Sequence, residues 1–175
     1  MVDGASVLMS MFYAFKASGF WLEERESNML DGGAHFYDTY ECSDGKFLAV
    51  GAIEPQFYSV LLEKLEISDE KFQNQHDRNQ WPDLKEIIKG KIKEKTRDEW
   101  ANIFDGTDAC VAPVLNLSEA PQHSHMKARN VFIDIDGTIQ PAPAPRFSET
   151  VSKIKHSALK AGENNDAVSY THLRA

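Results

Sequence analysis

Asp44-Gly45-Lys46-Phe47-Leu48-Ala49-Val50-Gly51-Ala52-Ile53-Glu54-Pro55-Gln56-Phe57-Tyr58 runs from a turn, through a strand, into a helix without a linker. The Asp-Gly pair suits a tight hairpin turn, because both residues tolerate positive φ. Residues 47–53 are nearly all apolar or small, which predicts a buried strand. At Glu54-Pro55 the period changes. Proline is tolerated at the first helical position, and Phe57, Leu61, Leu62 and Leu65 then fall on one stripe, predicting a helix with that face inward.

Upstream, Met29-Leu30-Asp31-Gly32-Gly33 supplies a Gly-rich turn, and residues 35–41, rich in Tyr, Phe and Thr, predict a strand antiparallel to the first. Residues 1–25 place Val7, Leu8, Met11, Phe12, Phe15 and Leu22 at helical spacing and predict one amphipathic helix. Such a Met/Phe stripe is most often core, and an apolar helix at this position needs something to pack against. Downstream, Trp81-Pro82 opens a helix bearing Leu84, Ile87, Ile88 and Ile92. Thr96 and Glu99 have capping-box spacing ahead of Trp100, Ile103 and Phe104. Residues 109–115, broken by Pro113, predict an edge strand. Ser118 is placed as the cap of a short helix containing His123 and His125, and residues 131–135 form a further strand. Pro141, Pro143 and Pro145 enforce an extended segment, and hydrophobic periodicity disappears from about residue 148, which predicts poor order. The elements lack the regular strand–helix rhythm of a parallel sheet, so the predicted class is α+β: a small antiparallel sheet with surrounding helices.

Composition narrows the function. The 175 residues carry 42% hydrophobic and 26% charged residues, ordinary values for a folded domain. A net charge of −8 argues against nucleic acid as a partner, and the lysines of residues 85–95 alternate with acids as on a solvated helix face. Cys42 and Cys110 match no disulfide framework or zinc spacing, so a reducing, intracellular setting is expected. The stretch from Val7 to Leu22 is interrupted by Ser10, Lys16, Ser18 and Gly19, unlike a membrane span, and no cationic segment precedes it as in a signal peptide.

Three features invite a chemical reading. Phe132-Ile133-Asp134-Ile135-Asp136-Gly137-Thr138 has the DxDGT pattern with which haloacid-dehalogenase phosphatases place a nucleophilic Asp and a second acid beside Mg²⁺. That chemistry needs a parallel sheet and further downstream groups, so a hairpin turned at Asp136-Gly137 is the better expectation. His123 and His125 stand two residues apart, which on a helix points them to different faces; no metal site is expected there. His35 could titrate in its strand, with no neighbour that gives it a task. Glu54 is singled out on chemical grounds: at a helix N-terminus the dipole and free backbone N–H groups favour a carboxylate, and a charge fixed there can orient a base. First-turn acids are common, and the residues alone favour that plainer reading.

The blocks at residues 28–40, 44–58 and 104–115, together with Met1-Val2-Asp3-Gly4-Ala5 and Pro143-Ala144-Pro145-Arg146-Phe147, closely resemble the α-methylacyl-CoA racemases of the family III CoA-transferase superfamily. The resemblance covers about residues 1–150. It implies the small domain of that fold, with residues 1–27 as a linker helix from a larger domain and 28–140 as the small α+β domain. Residues 141–175 are then a proline-rich return segment whose end, from Val168, resembles translated linker. It also implies an interlocked homodimer in the intact protein and an acyl-CoA thioester substrate, with no metal, redox cofactor or membrane. The compartment would be a peroxisome or mitochondrion, or the cytoplasm of a bacterium.

By the same resemblance, a 2-methylacyl-CoA loses its α-proton on one face to one member of a His–Asp pair and regains it on the other through an enolate. Both bases lie upstream of the position matched by Met1, so this chain alone is expected to be inactive. Glu54 aligns with a glutamate hydrogen-bonded to the catalytic His, which reverses the plainer reading, and Tyr37 falls near the same site. His35 departs from the family's usual Pro. A CoA-transferase fragment and a non-catalytic interaction module docking through residues 1–22 are the alternatives, with the phosphatase centred on Asp134 more remote.

Overall fold

The computed structural model describes residues 1–166 and divides into two compact units, Met1–Val114 and Leu115–Ala175. The expectation for Val168 onward lies outside the described residues.

In the first unit β1 (Tyr37–Glu41), β2 (Phe47–Gly51) and β3 (Val111–Pro113) form an antiparallel sheet in that order, with β2 in the centre. Tyr37 pairs with Gly51 and Thr39 with Ala49, and Ala49 pairs in turn with Ala112. The hairpin closes where the Cys42 amide donates to the Lys46 carbonyl at 2.7 Å, with Gly45 at φ +76°. The strand of residues 35–41 starts later than expected: Ala34, His35 and Phe36 are fully buried ahead of it. Nor is β2 buried throughout. Leu48 and Val50 point into the core, while Ala49 and Gly51 lie on the other face and are only half-buried, as the two-residue period of a strand requires.

The core face is covered by α3 (Pro55–Lys64), α4 (Trp81–Ile92) and α5 (Arg97–Phe104). In α3 the inward stripe is Tyr58, Leu61 and Leu65, with Phe57 and Leu62 only half-buried. Leu84, Ile88 and Ile92 of α4 are fully buried, and Trp100 and Phe104 anchor α5. The capping box forms: the Glu99 amide donates to Thr96 Oγ1 at 3.3 Å, and the Thr96 amide donates to Glu99 Oε2 at 2.8 Å. Buried indoles find acceptors, Trp81 Nε1 at the Gln75 carbonyl and Trp100 Nε1 at the Ile92 carbonyl, both at 2.8 Å. Ahead of the sheet, Gly33 passes so close to the Glu26 and Asn28 carbonyls that a Cβ would sit 2.8 Å from either.

The N-terminal segment departs from expectation. Instead of one helix there are two, α1 (Val2–Leu8) and α2 (Ser10–Ala17), and Gly19 at φ +72° ends the run. Neither helix buries a residue, so the stripe expected to be core is uncovered: Val7, Leu8 and Met11 are exposed. Among the described residues no helix is long and apolar enough to cross a membrane.

The second unit holds α6 (Ser124–Ala128) and the antiparallel pair β4 (Phe132–Ile135) and β5 (Thr138–Pro141). His123 precedes α6 at its N-cap rather than lying in a helix with His125, because the chain is extended there (φ −60°, ψ 135°). Asp136 and Gly137 both take positive φ, 52° and 81°, and the Gly137 amide donates to Asp134 Oδ1 at 2.8 Å. The DxDGT motif is thus a two-residue hairpin in a two-stranded antiparallel sheet, without the parallel surroundings its phosphatase reading requires.

Core truncation and loss of the cap should differ in cost. In urea unfolding of the chain, Ile88→Ala should lower stability by about 2–5 kcal/mol, and Thr96→Ala by about 1 kcal/mol.

Candidate functional site

Alternation along β2 decides what the outer sheet face can be. Ala49, Gly51 and Ala112 leave that face low beside Tyr37 and Thr39, and a cleft of about 540 Å³ opens there. That volume is within the roughly 300–1,000 Å³ of small-molecule sites. Tyr37 lines it together with Asp31, Thr39 and Cys110. Asp31 is shaped by its loop: burial raises its pKa, but hydrogen bonds from the Asn28 side chain and from the Asn28, Gly33 and Ser27 amides outweigh this and hold it below the usual carboxylate range. On the opposite face Asp38 forms an ion pair with Lys85 of α4, whose ammonium also donates to the Gly32 carbonyl. Those contacts fasten the loop and β1 to the helical layer.

Glu54 stands at the end of β2 as the N-cap of α3, with extended backbone (φ −76°, ψ 142°) and Pro55 next. The side chain is exposed and makes no capping hydrogen bond to α3. Its carboxylate is therefore available to a group outside the helix. Its negative charge reaches Cys110, where partial burial first, then Glu54 and Asp108, raise the thiol pKa. A raised pKa keeps that thiol protonated and a poor nucleophile. Tyr37 and Cys110 thus line one cleft, and Glu54, which is not among the residues lining it, acts on Cys110 through its charge.

Behind the junction lie residues that sequence patterning did not single out. The Gln75 side-chain amide donates to the carbonyls of Ala52 and Ile53 at 3.0 and 2.9 Å. Gln75 sits in the polar run of residues 73–80, where no periodicity marks it. Tyr58 did carry a signal, since 58, 61 and 65 keep helical spacing. Its hydroxyl is 2.7 Å from His35 Nε2. His35 is wholly buried against Phe36, Tyr58 and Phe72, and its Nδ1 has no partner. Burial, followed by the nearby His76, pushes it down from 6.5 to about 4. It is a neutral core residue, not a strand residue. Among the described residues no group of His, Cys, Asp and Glu is arranged to hold a metal ion.

Residues 1–165 match the family model described as CoA-transferase family III. The chain is 46% identical over 151 residues to the alpha-methylacyl-CoA racemase of Mus musculus and 44% identical to that of Homo sapiens, in each case covering 86% of this chain. It spans 40% of the length of those relatives. Among solved structures, a CAIB/BAIF family protein from Brucella suis superposes with a TM-score of 0.66 at 22% identity, over 94% of this chain and 44% of that one. At that identity the likeness is one of fold.

The buried histidine gives this region a pH signature. Unfolded, His35 takes a proton near pH 6.5; folded, it refuses one until about pH 4. Stability is therefore lost as pH falls through that window, by up to roughly 3 kcal/mol. His35→Gln removes the titrating ring, and urea unfolding at successive pH values should give a flatter curve between 6.5 and 4.

Proposed function

This chain belongs to CoA-transferase family III, and we propose that it forms the small-domain side of an α-methylacyl-CoA racemase site. The observation that carries the reading is the exposed, uncapped carboxylate of Glu54 at a strand-to-helix junction, three residues beyond Gly51 of the open cleft. The names and identities of the mouse and human relatives supply the substrate class, a branched acyl-CoA thioester.

In this reading the reaction is a proton exchange at one carbon. A base takes the α-proton, the electron pair moves into the thioester carbonyl as an enolate, and an acid on the opposite face returns a proton to the same carbon. A His–Asp pair from a larger domain performs both transfers. Glu54 accepts a hydrogen bond from the imidazole, holding its tautomer and orientation and stabilising the imidazolium once it forms. Tyr37 borders the thioester from the sheet. The helices at residues 1–17 and the segment to residue 27 act as the linker to that larger domain, which accounts for their uncovered apolar side chains. Two chains interlock in the intact protein, and the compartment is one that supplies acyl-CoA.

A chimeric mouse racemase carrying the matching segment of this chain tests the reading. It should exchange the α-proton of a 2-methylacyl-CoA in deuterated water, and Glu54→Gln in it should lower kcat at least about 10-fold with a much smaller change in KM. The 175-residue chain alone should give no exchange. A folded chimera without exchange, indifference to Glu54→Gln, or CoA transfer to a free carboxylate in place of exchange would overturn the assignment.

A further inference from the structure

We propose that Gln75 is a positioning residue for Glu54, acting through the backbone of the junction; the proposal rests on the reading of Glu54 given above. Because the Glu54 carboxylate makes no capping hydrogen bond to its own helix, its place is set by the backbone that delivers it. That backbone leaves the sheet at Gly51, and the next two carbonyls, of Ala52 and Ile53, both accept from Gln75 Nε2. An amide nitrogen has two hydrogens, so both are spent on consecutive peptide groups. Gln75 is only 6% exposed and Ala52 fully buried, which keeps water from substituting readily at the Ala52 carbonyl; Ile53 is half-buried.

Gln75 is itself held through its main chain by a closed ring of contacts. Trp81, the first residue of α4, donates from its indole to the Gln75 carbonyl at 2.8 Å. Its ring meets Phe36 edge-on at 5.8 Å, and the Phe36 carbonyl accepts from the Ala52 amide at 3.0 Å. The ring therefore returns to the residue at which Gln75 holds the chain. One residue further on, the Glu54 carbonyl accepts from the Tyr58 amide at 2.9 Å, and Tyr58 is pinned by His35. Removing the Gln75 donors leaves the wholly buried Ala52 carbonyl and the half-buried Ile53 carbonyl without this partner, and the junction should shift to satisfy the buried one. A displacement of about 1 Å at a group that orients a base is enough to cost about 100-fold in rate.

Three variants in the active chimera test this. Gln75→Met keeps length and loses both donors; it should lower kcat by about 10- to 100-fold while KM stays within about threefold. Gln75→Glu has one donor when protonated and none when ionised, so its kcat relative to the parent should recover as pH falls, while that of Gln75→Met stays low throughout. The double variant Glu54→Gln/Gln75→Met should lose no more than about twofold beyond Glu54→Gln alone, because the clamp acts only through that carboxylate. If Glu54→Gln lowers kcat and Gln75→Met does not, or if the two losses multiply, the positioning role is wrong and the racemase reading stands. If Glu54→Gln has no effect, the racemase reading itself fails.

The clamp can be judged separately on the full chain by amide hydrogen exchange. In Gln75→Met the Ala52 and Tyr58 amides should exchange at least about 10-fold faster, while the Trp100 amide in α5 keeps its rate. Unchanged protection at Ala52 and Tyr58 would overturn the clamp.

Discussion

Where β2 stops pairing and α3 begins, the carbonyls of Ala52, wholly buried, and Ile53, half-buried, have left the sheet ladder, and the buried one needs a partner. Gln75 resolves that constraint with one side-chain amide. Much else follows from it. The loop bearing Gln75 must return beneath the junction, Trp81 must open α4 where its indole reaches the Gln75 carbonyl, and Phe36 must lie between the indole and the strand. Glu54 is the first residue beyond this fastening, so its exposed carboxylate is delivered by a fastened backbone even though the side chain makes no capping hydrogen bond to α3.

The two faces of β2 divide the labour of the domain. Leu48 and Val50 enter the core with α3, α4 and α5, while Ala49 and Gly51 keep the outer face low enough for the cleft beside Tyr37 and Cys110. A large residue at either outer position would fill the cleft without disturbing the core. The fold likeness to the Brucella suis protein and the closer sequence likeness to the mammalian racemases bear on different links: the first on the architecture, the second on the chemistry proposed for it.

Much of the architecture was legible in the sequence where local signals agree. Asp44-Gly45, Pro55 at the first turn of α3, the Thr96/Glu99 box and Asp136-Gly137 each mark a boundary by backbone chemistry, and the structure places turns and caps there. Burial was harder to read. The run of residues 47–53 is apolar or small throughout, and composition cannot tell an inward Val50 from an outward Ala49; only pairing with β1 and β3 decides. Residues 1–17 show the converse limit, since their pattern reports a capacity for burial while the partner surface is a tertiary matter. Glu54 stood out because charge, strand end and helix start coincide at one residue. Gln75 did not, because its role depends on a contact 22 and 23 residues away in sequence, and nothing near it in the polar run of residues 73–80 records that contact.

The most direct measurement is a crystal structure of the racemase chimera with a 2-methylacyl-CoA bound. The Glu54 carboxylate should lie within hydrogen-bonding reach of the catalytic imidazole, about 2.7–3.2 Å, with the thioester over the cleft beside Tyr37. A thioester bound elsewhere, or a Glu54 carboxylate facing solvent with the imidazole oriented by another group, would contradict it.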